Sequence, residues 1–304
     1  MELRNRTIAV TGASGMLGAY ICRALFEAGA RVRGVVRNPQ KAAFLAQYGV
    51  DLAEATLEDR QALTAAFRGC DAVVSNAALY NITDVRWAAN YRANKEGTEN
   101  VYEAMGDAGV RRAVHISTFG VYRWFPKPDV IREDSPVIDG ERREGGAYRA
   151  TKQLSEALAF AISEKRGIAT TALRPAGIYG ARDKNLAPWL TRLMRLPVAP
   201  APRLHFPFVY AGDVAQAIVG TLRNDATAGK AYLVAGRDGT VEEFFRAWKA
   251  VTGARTSFFS VPFGQGLRVD TSAAKRDIGF DNVPYELGIQ KMLEDERSFS
   301  QTLS

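Results

Sequence analysis

Short apolar runs alternate with amphipathic segments over the first two thirds of the chain. Strand-like runs lie at residues 6–10, 31–36, 50–53, 72–75 and 112–117. Helical spacing follows the first run (Met16, Leu17, Tyr20, Ile21, Leu25) and recurs from about residue 41, at 58–67, over a long stretch of about 83–109, and from Tyr148 to about residue 165. Strands that alternate with helices build a parallel sheet covered on both faces, so a doubly wound α/β domain is expected. Ligands of such sheets bind at the carboxyl ends of the strands.

The pattern changes after Arg174-Pro175. A helix at about 186–195 runs into a stretch carrying Pro197, Pro200, Pro202 and Pro207, and the chain is expected to return to the sheet at 208–213. A short strand at Tyr232, a helix at 241–252, an apolar segment at 258–263 and terminal helices complete the chain. These pieces predict a smaller substrate domain interleaved with the first. Residues 1–180 plus 208–229 are expected to form the doubly wound, ligand-binding part, and 181–207 plus 230–304 the substrate part. No internal repeat or low-complexity tract is evident.

The 304 residues, 47% hydrophobic and 24% charged, describe a globular protein with a substantial core. The first strand begins near residue 6, which leaves no room for a leader, and no apolar run reaches the roughly 18 residues of a spanning helix. A cytoplasmic protein is expected. Cys22 and Cys70 lie far apart in apolar segments and read as buried thiols, and with only His115 and His205 as histidines no metal site is expected. The net charge of +7 is carried by scattered basic residues without a nucleic-acid motif.

Candidate chemistry begins at the first strand-to-helix turn, Thr11-Gly12-Ala13-Ser14-Gly15-Met16-Leu17-Gly18. Glycine lets the backbone bend and lets a pyrophosphate approach the main chain, while the helix N-terminus offers unpaired N–H groups. The spacing is G-x-x-G-x-x-G, and a tight turn in an unrelated α/β protein is the competing reading. Its place in the first strand and helix favours a Rossmann dinucleotide site. At the end of the second strand, where an acid would bind the ribose of NAD, stands Arg37, with Lys41 one turn further on. A guanidinium there matches the extra phosphate of NADP, so NADP(H) is the expected cofactor; a plain surface arginine is the alternative.

The strand at 112–117 ends in Ser117 and Thr118, followed by an irregular stretch over 123–146 with Trp124 and Phe125, suited to an apolar lid. Tyr148 and Lys152 then lie four apart on one helical face. A nearby ammonium favours phenolate and would pull the tyrosine toward neutral titration. Tyr91 and Lys95 repeat the spacing, but only Tyr148 follows a strand that ends in paired hydroxyls.

Seven segments in order, TGASGMLG, SNAA, NKEGTENV, HISTFGVY, YRATK, LRPAGIYG and FVYAGDVAQAI, resemble the extended short-chain dehydrogenases/reductases over nearly the whole chain. The resemblance is nearest to the 3-beta-hydroxysteroid dehydrogenase and dihydroflavonol reductase-like branch. It implies hydride transfer at C4 of a nicotinamide, with Tyr148 as acid/base, Lys152 on the ribose hydroxyls, Thr118 on the reacting oxygen and Asn94 as the family's asparagine. It also implies cofactor contacts from Gly12, Ser14, Gly15, Met16, Leu17, Gly18, Thr56, Leu57, Asn76, Ala77, Ala78, Pro175 and Ile178, and a homodimer joined through helices at about 83–107 and 148–164. The implied activity is an NADP(H)-dependent oxidoreductase acting on a hydrophobic carbonyl or alcohol. A nucleotide-sugar epimerase or dehydratase, and a non-catalytic NADP sensor, are the alternatives. Where the sugar branch has an arginine for the diphosphate, this chain has Phe206 in an apolar neighbourhood, leaving Arg203 or Arg268 as the only replacements considered.

Overall fold

A computed structural model of the chain describes residues 1–80, 86–126, 128–262 and 266–300. Its strands are β1 (Thr7–Thr11), β2 (Arg31–Val36), β3 (Asp51–Glu54), β4 (Ala72–Ser75), β5 (Arg112–Ile116), β6 (Ala169–Pro175), β7 (Gly177–Tyr179), β8 (Val198–Pro202), β9 (Phe208–Tyr210), β10 (Ala231–Val234) and β11 (Ser257–Val261). Seven of them form the central sheet in the order β10-β6-β5-β4-β1-β2-β3, and every pairing in it is parallel. The inner strands β4 and β5 are buried along their whole length, which is why they read as unbroken apolar runs. The edge strand β3 instead begins and ends on exposed acids, Asp51 and Glu54, which discourage pairing with a further strand.

Helices cover both faces. They are α1 (Met16–Glu27), α2 (Arg60–Phe67), α3 (Trp87–Asn90), α4 (Gly97–Ala108), α5 (Gly146–Arg166), α6 (Leu186–Leu193), α7 (Ala211–Arg223), α8 (Val241–Thr252), α9 (Ser272–Ile278) and α10 (Tyr285–Ser300). One core joins α1, α7, α8 and α10 to one face of the sheet, and a second joins α2, α4 and α5 to the other. Local chemistry fixes several ends. Asp59 accepts the Ala62 N–H at 2.9 Å to cap α2, and Thr240 and Glu243 form a reciprocal capping box on α8.

Three expectations are corrected. The long helix expected over 83–109 is broken. Residue 83 lies outside the described residues, and between α3 and α4 the segment Tyr91–Glu96 is a π-helical turn. Inside that turn the Asn94 side chain bonds to Leu79 and Thr151, and π-turns commonly mark such functional insertions. The stretch at 208–213 does not return to the central sheet: β9 pairs with β7 in a separate two-stranded sheet. The seventh strand is β10, from the stretch assigned by sequence to the substrate part. The apolar segment at 258–263 becomes β11, paired with β8 through the proline-rich stretch, and residue 263 lies outside the described residues.

Asp213, in the first turn of α7, accepts the Val283 N–H at 3.0 Å, and burial pushes its carboxyl up from 3.8 to about 6. The folded state therefore binds its proton more tightly than the unfolded chain, and this group's contribution to stability falls as pH rises from about 4 to about 6. Asp213→Asn keeps an acceptor and removes the charge. It is expected to gain of order 1–3 kcal/mol at pH 7 and nothing at pH 4, as read by denaturant unfolding at the two pH values. No helix among the described residues is long and apolar enough to cross a membrane.

Candidate active site

The glycine turn between β1 and α1 is shaped for close approach. Gly12 adopts φ +66°, and a Cβ there would meet Ala77 Cα at 3.0 Å. A Cβ on Gly18 would lie 2.2 Å from the Gly12 carbonyl oxygen, so α1 packs against the turn only because this position is glycine. Gly15 caps α1 without a side-chain bond, which leaves the first N–H groups of the helix to a ligand. The turn is also tied to the end of β4: the Thr11 hydroxyl accepts from the backbone N–H groups of Asn76 and Ala77, both at 3.0 Å. Sequence reading missed Thr11, although a threonine closing β1 just before the first glycine was a signal for it.

Arg37 and Lys41 are exposed at the carboxyl end of β2, and neither makes an ion pair among the described residues. Asn38 accepts the Lys41 N–H at 3.1 Å and so starts the 3-10 segment Pro39–Tyr48 that carries Lys41. Thr56 and Leu57 follow β3; the Leu57 carbonyl accepts from Asn100 at 2.8 Å. Pro175 ends β6 of the central sheet, and Ile178 lies in β7 of the separate two-stranded sheet.

Thr118 and Tyr148 converge beyond β5. The Thr118 hydroxyl accepts the Gly120 N–H at 3.1 Å, and Tyr148 opens α5 with its ring edge-on to Tyr80, centroids 5.2 Å apart. Burial pushes the Tyr148 phenol above its usual value, Tyr80 adds to this, and hydrogen bonding with Thr118 pulls the other way. Lys152 is buried and donates to the Ile116 carbonyl at 2.7 Å. Desolvation brings its ammonium down to about 8, with Glu156 opposing. The expected lowering of the phenol by Lys152 is therefore absent: the ammonium is directed at the end of β5 and burial dominates the tyrosine. Ser117, beside Thr118, is buried, and its hydroxyl has no hydrogen-bond partner among the described residues.

Asn94 acts as a clamp. Its Oδ1 accepts the Leu79 N–H at 2.8 Å and its Nδ2 donates to Thr151 Oγ1 at 3.1 Å, fixing the chain after β4 to the first turns of α5. Tyr91 and Lys95 have other partners: Lys95 donates to Glu99 at 3.1 Å and its ammonium lies 5.6 Å from the Tyr91 ring centroid. The stretch at 123–146 is anchored by Arg149, which donates to the carbonyls of Gly120 (2.7 Å) and Tyr122 (2.8 Å) and stacks on Trp124 at 3.7 Å. A buried pair, Arg174 on β6 and Glu156 on α5, holds the same stretch through Tyr122 Oη (3.0 Å) and the Glu133 carbonyl (3.2 Å). Neither arginine was singled out from sequence as an anchor, because the partners of each are far along the chain.

Aromatic side chains extend from this point: Phe119 meets Trp124 and Phe206, and Phe206 meets Phe208 at 4.9 Å. Phe208 itself stacks on Phe244 in the core. The two arginines considered as replacement cations are engaged, Arg203 with Glu242 at 3.7 Å and Arg268 with Asp238 at 2.6 Å.

Residues 8–235 match the model of the NAD dependent epimerase/dehydratase family. This chain belongs to that family. It is 30% identical over 263 residues, 84% of this chain and 77% of the relative, to sterol demethylase protein B of Methylococcus capsulatus. It is 35% identical over 188 residues, 61% of this chain and 54% of the relative, to a 4-hydroxy-2-methyl-3-oxo-4-farnesyl-3,4-dihydroquinoline-1-oxide ketoreductase of Stigmatella aurantiaca. A 3 beta-hydroxysteroid dehydrogenase/Delta 5→4-isomerase of Mycobacterium tuberculosis is 29% identical over 59% of this chain and 49% of its own. The fold matches that of a UDP-glucose-4-epimerase from Stenotrophomonas maltophila solved with NAD, at TM-score 0.82 and 21% identity over 96% of this chain and 98% of that one. The family member is thus an extended short-chain dehydrogenase/reductase with relatives in the hydroxysteroid dehydrogenase-like branch.

Proposed function

We propose that this protein is an NADP(H)-dependent oxidoreductase that interconverts a carbonyl and an alcohol on a hydrophobic small molecule, with Tyr148 as the acid/base. One observation carries the reading: Tyr148 and Thr118 meet beyond β5, one helical turn from buried Lys152. The turn at Gly12 and Gly18, which a Cβ would obstruct, fits a dinucleotide. When bound, that group supplies hydride at its nicotinamide C4.

The chain's own residues do the rest. The backbone at Gly12, Ser14, Gly15, Met16, Leu17 and Gly18 binds the pyrophosphate, and Arg37 with Lys41 binds the phosphate that distinguishes NADP. Thr56, Leu57, Asn76, Ala77 and Ala78 border the adenosine side, and Pro175 and Ile178 the nicotinamide side. Lys152 orients the ribose, Thr118 donates to the reacting oxygen and Tyr148 gives or takes its proton. Asn94 is a positioning residue through Leu79 and Thr151.

The hydrophobic substrate is supported by Phe119, Trp124 and Phe206 beyond the hydroxyls, and by the sterol and farnesyl-quinoline relatives. A diphosphate buried there would meet Arg149 already bonded to the Gly120 and Tyr122 carbonyls, and would carry a large desolvation penalty. Residues 1–180 plus 208–229 serve the dinucleotide and 181–207 plus 230–304 the substrate, with β10 lent to the central sheet. Self-association through α4 and α5, and a cytoplasmic compartment in keeping with the free thiols of Cys22 and Cys70, belong to the same reading.

The reading is tested by a panel of hydrophobic carbonyls with NADPH, followed at the nicotinamide absorbance. Turnover is expected, and no turnover on any member would count against it. NADPH should bind more tightly than NADH, and Arg37→Ala should remove roughly 10- to 100-fold of that preference, the cost of a charged phosphate contact. Equal affinities in the parent protein would sink the NADP assignment. Calorimetric titration with UDP-glucose should give no micromolar binding; tight binding would move the epimerase reading to first place.

A further inference from the structure

The two-stranded sheet β8–β11 presents one face to solvent. Its pairing sets Val198 beside Ser257 and Pro200 beside Phe259, and these four positions are exposed, while the alternate residues Ala199 and Ala201 are buried. Val198 is 55% exposed, Phe259 52% and Leu196, just before the strand, 47%. Among the described residues, three of the large exposed apolar side chains thus lie on this sheet or at its end, while Trp189 on α6 meets Phe245, which also meets Phe258 on the other face.

The surroundings are basic. Arg192, Arg195 and Arg255 are exposed and make no ion pair among the described residues. Extending the register places Arg255 opposite Leu196, at one end of the apolar face. The nearby acids are already engaged: Glu242 with Arg246, Arg203 and Ser260, and Glu243 in the capping box of α8. An apolar face bordered by unpaired arginines matches a bilayer surface, in which apolar side chains enter the acyl boundary and cations meet anionic headgroups.

We propose that the outer face of β8–β11 docks on membranes containing anionic lipid. A second copy of this chain is the poorer occupant, because a two-fold contact through this face would bring two arginine-bordered surfaces of like charge together. Docking does not depend on the substrate reading, so the two stand or fall separately.

The test is co-sedimentation of the full chain with vesicles of phosphatidylcholine alone, or of phosphatidylcholine with about one third phosphatidylglycerol, the latter giving a negative surface that attracts basic side chains. Binding is expected to the anionic vesicles only and to weaken as salt rises. Arg195→Gln or Arg255→Gln should each weaken it roughly five-fold, and the pair more than ten-fold. Leu196→Ser with Phe259→Ser should abolish it, while unchanged circular dichroism and NADPH affinity report intact folding. Absence of binding to the anionic vesicles overturns the proposal, as does binding that the arginine and apolar variants retain in full. A dimer that these variants dissociate, with no vesicle binding by the parent, assigns the face to a second copy and overturns it equally.

Discussion

Tyr148→Phe is expected to lower turnover by roughly 100- to 10,000-fold, the usual contribution of a positioned proton donor, while NADPH affinity stays within about two-fold of the parent. The ring remains to pack edge-on against Tyr80, so the loss reads the hydroxyl and not the fold. Tyr91→Phe should leave substantial activity, because the partner of that pair, Lys95, is bonded to Glu99 and not to a group at the end of β5. A reversed outcome, with Tyr91→Phe inactive and Tyr148→Phe active, would move the acid/base role to the π-turn. Because burial raises the Tyr148 phenol in the protein alone, the proposed acid/base role requires the cofactor-loaded state to bring it toward neutral titration. A pH profile of kcat measured at saturating NADPH reads that state directly.

The parallel sheet was legible because its inner strands are buried on both faces and its helices carry helical spacing, two local signals. The glycine turn was legible for a similar reason: its requirement is on the backbone, and no side chain but glycine's satisfies it at Gly12 and Gly18. The strand β8 was not, since Pro200 and Pro202 argue against a central strand. They are tolerated because β8 pairs on one side only, with β11. The direction of Lys152 was likewise invisible. Four-residue spacing puts Tyr148 and Lys152 on one helical face, but the ammonium's choice of the Ile116 carbonyl depends on where β5 ends against α5. Anchoring residues lay beyond local pattern altogether: Arg149 reaches Gly120, 29 positions back, and Arg174 reaches Glu133, 41 back.

Arg174→Ala is expected to destabilise the protein by about 3–5 kcal/mol, the cost of leaving a buried carboxylate without its partner. Arg174 and Glu156 are both buried, and Arg174 Nε approaches Oε2 at 3.0 Å. The guanidinium also donates to Tyr122 Oη and the Glu133 carbonyl, so the chain around these two residues loses two anchors with it. Replacing both members, Arg174→Met with Glu156→Leu, removes the stranded charge and should recover most of the loss in a denaturant titration. A double variant no more stable than Arg174→Ala would place the cost in the lost anchors and not in the charge. The same double variant carries a functional reading, because the Glu156 charge supports the ammonium of Lys152 against desolvation. Without Glu156, Lys152 loses its proton below its present value of about 8, and the alkaline limb of the kcat–pH profile should shift to lower pH. A limb that stays in place while stability recovers would confine the pair to holding α5, β6 and the chain around Tyr122 and Glu133 together.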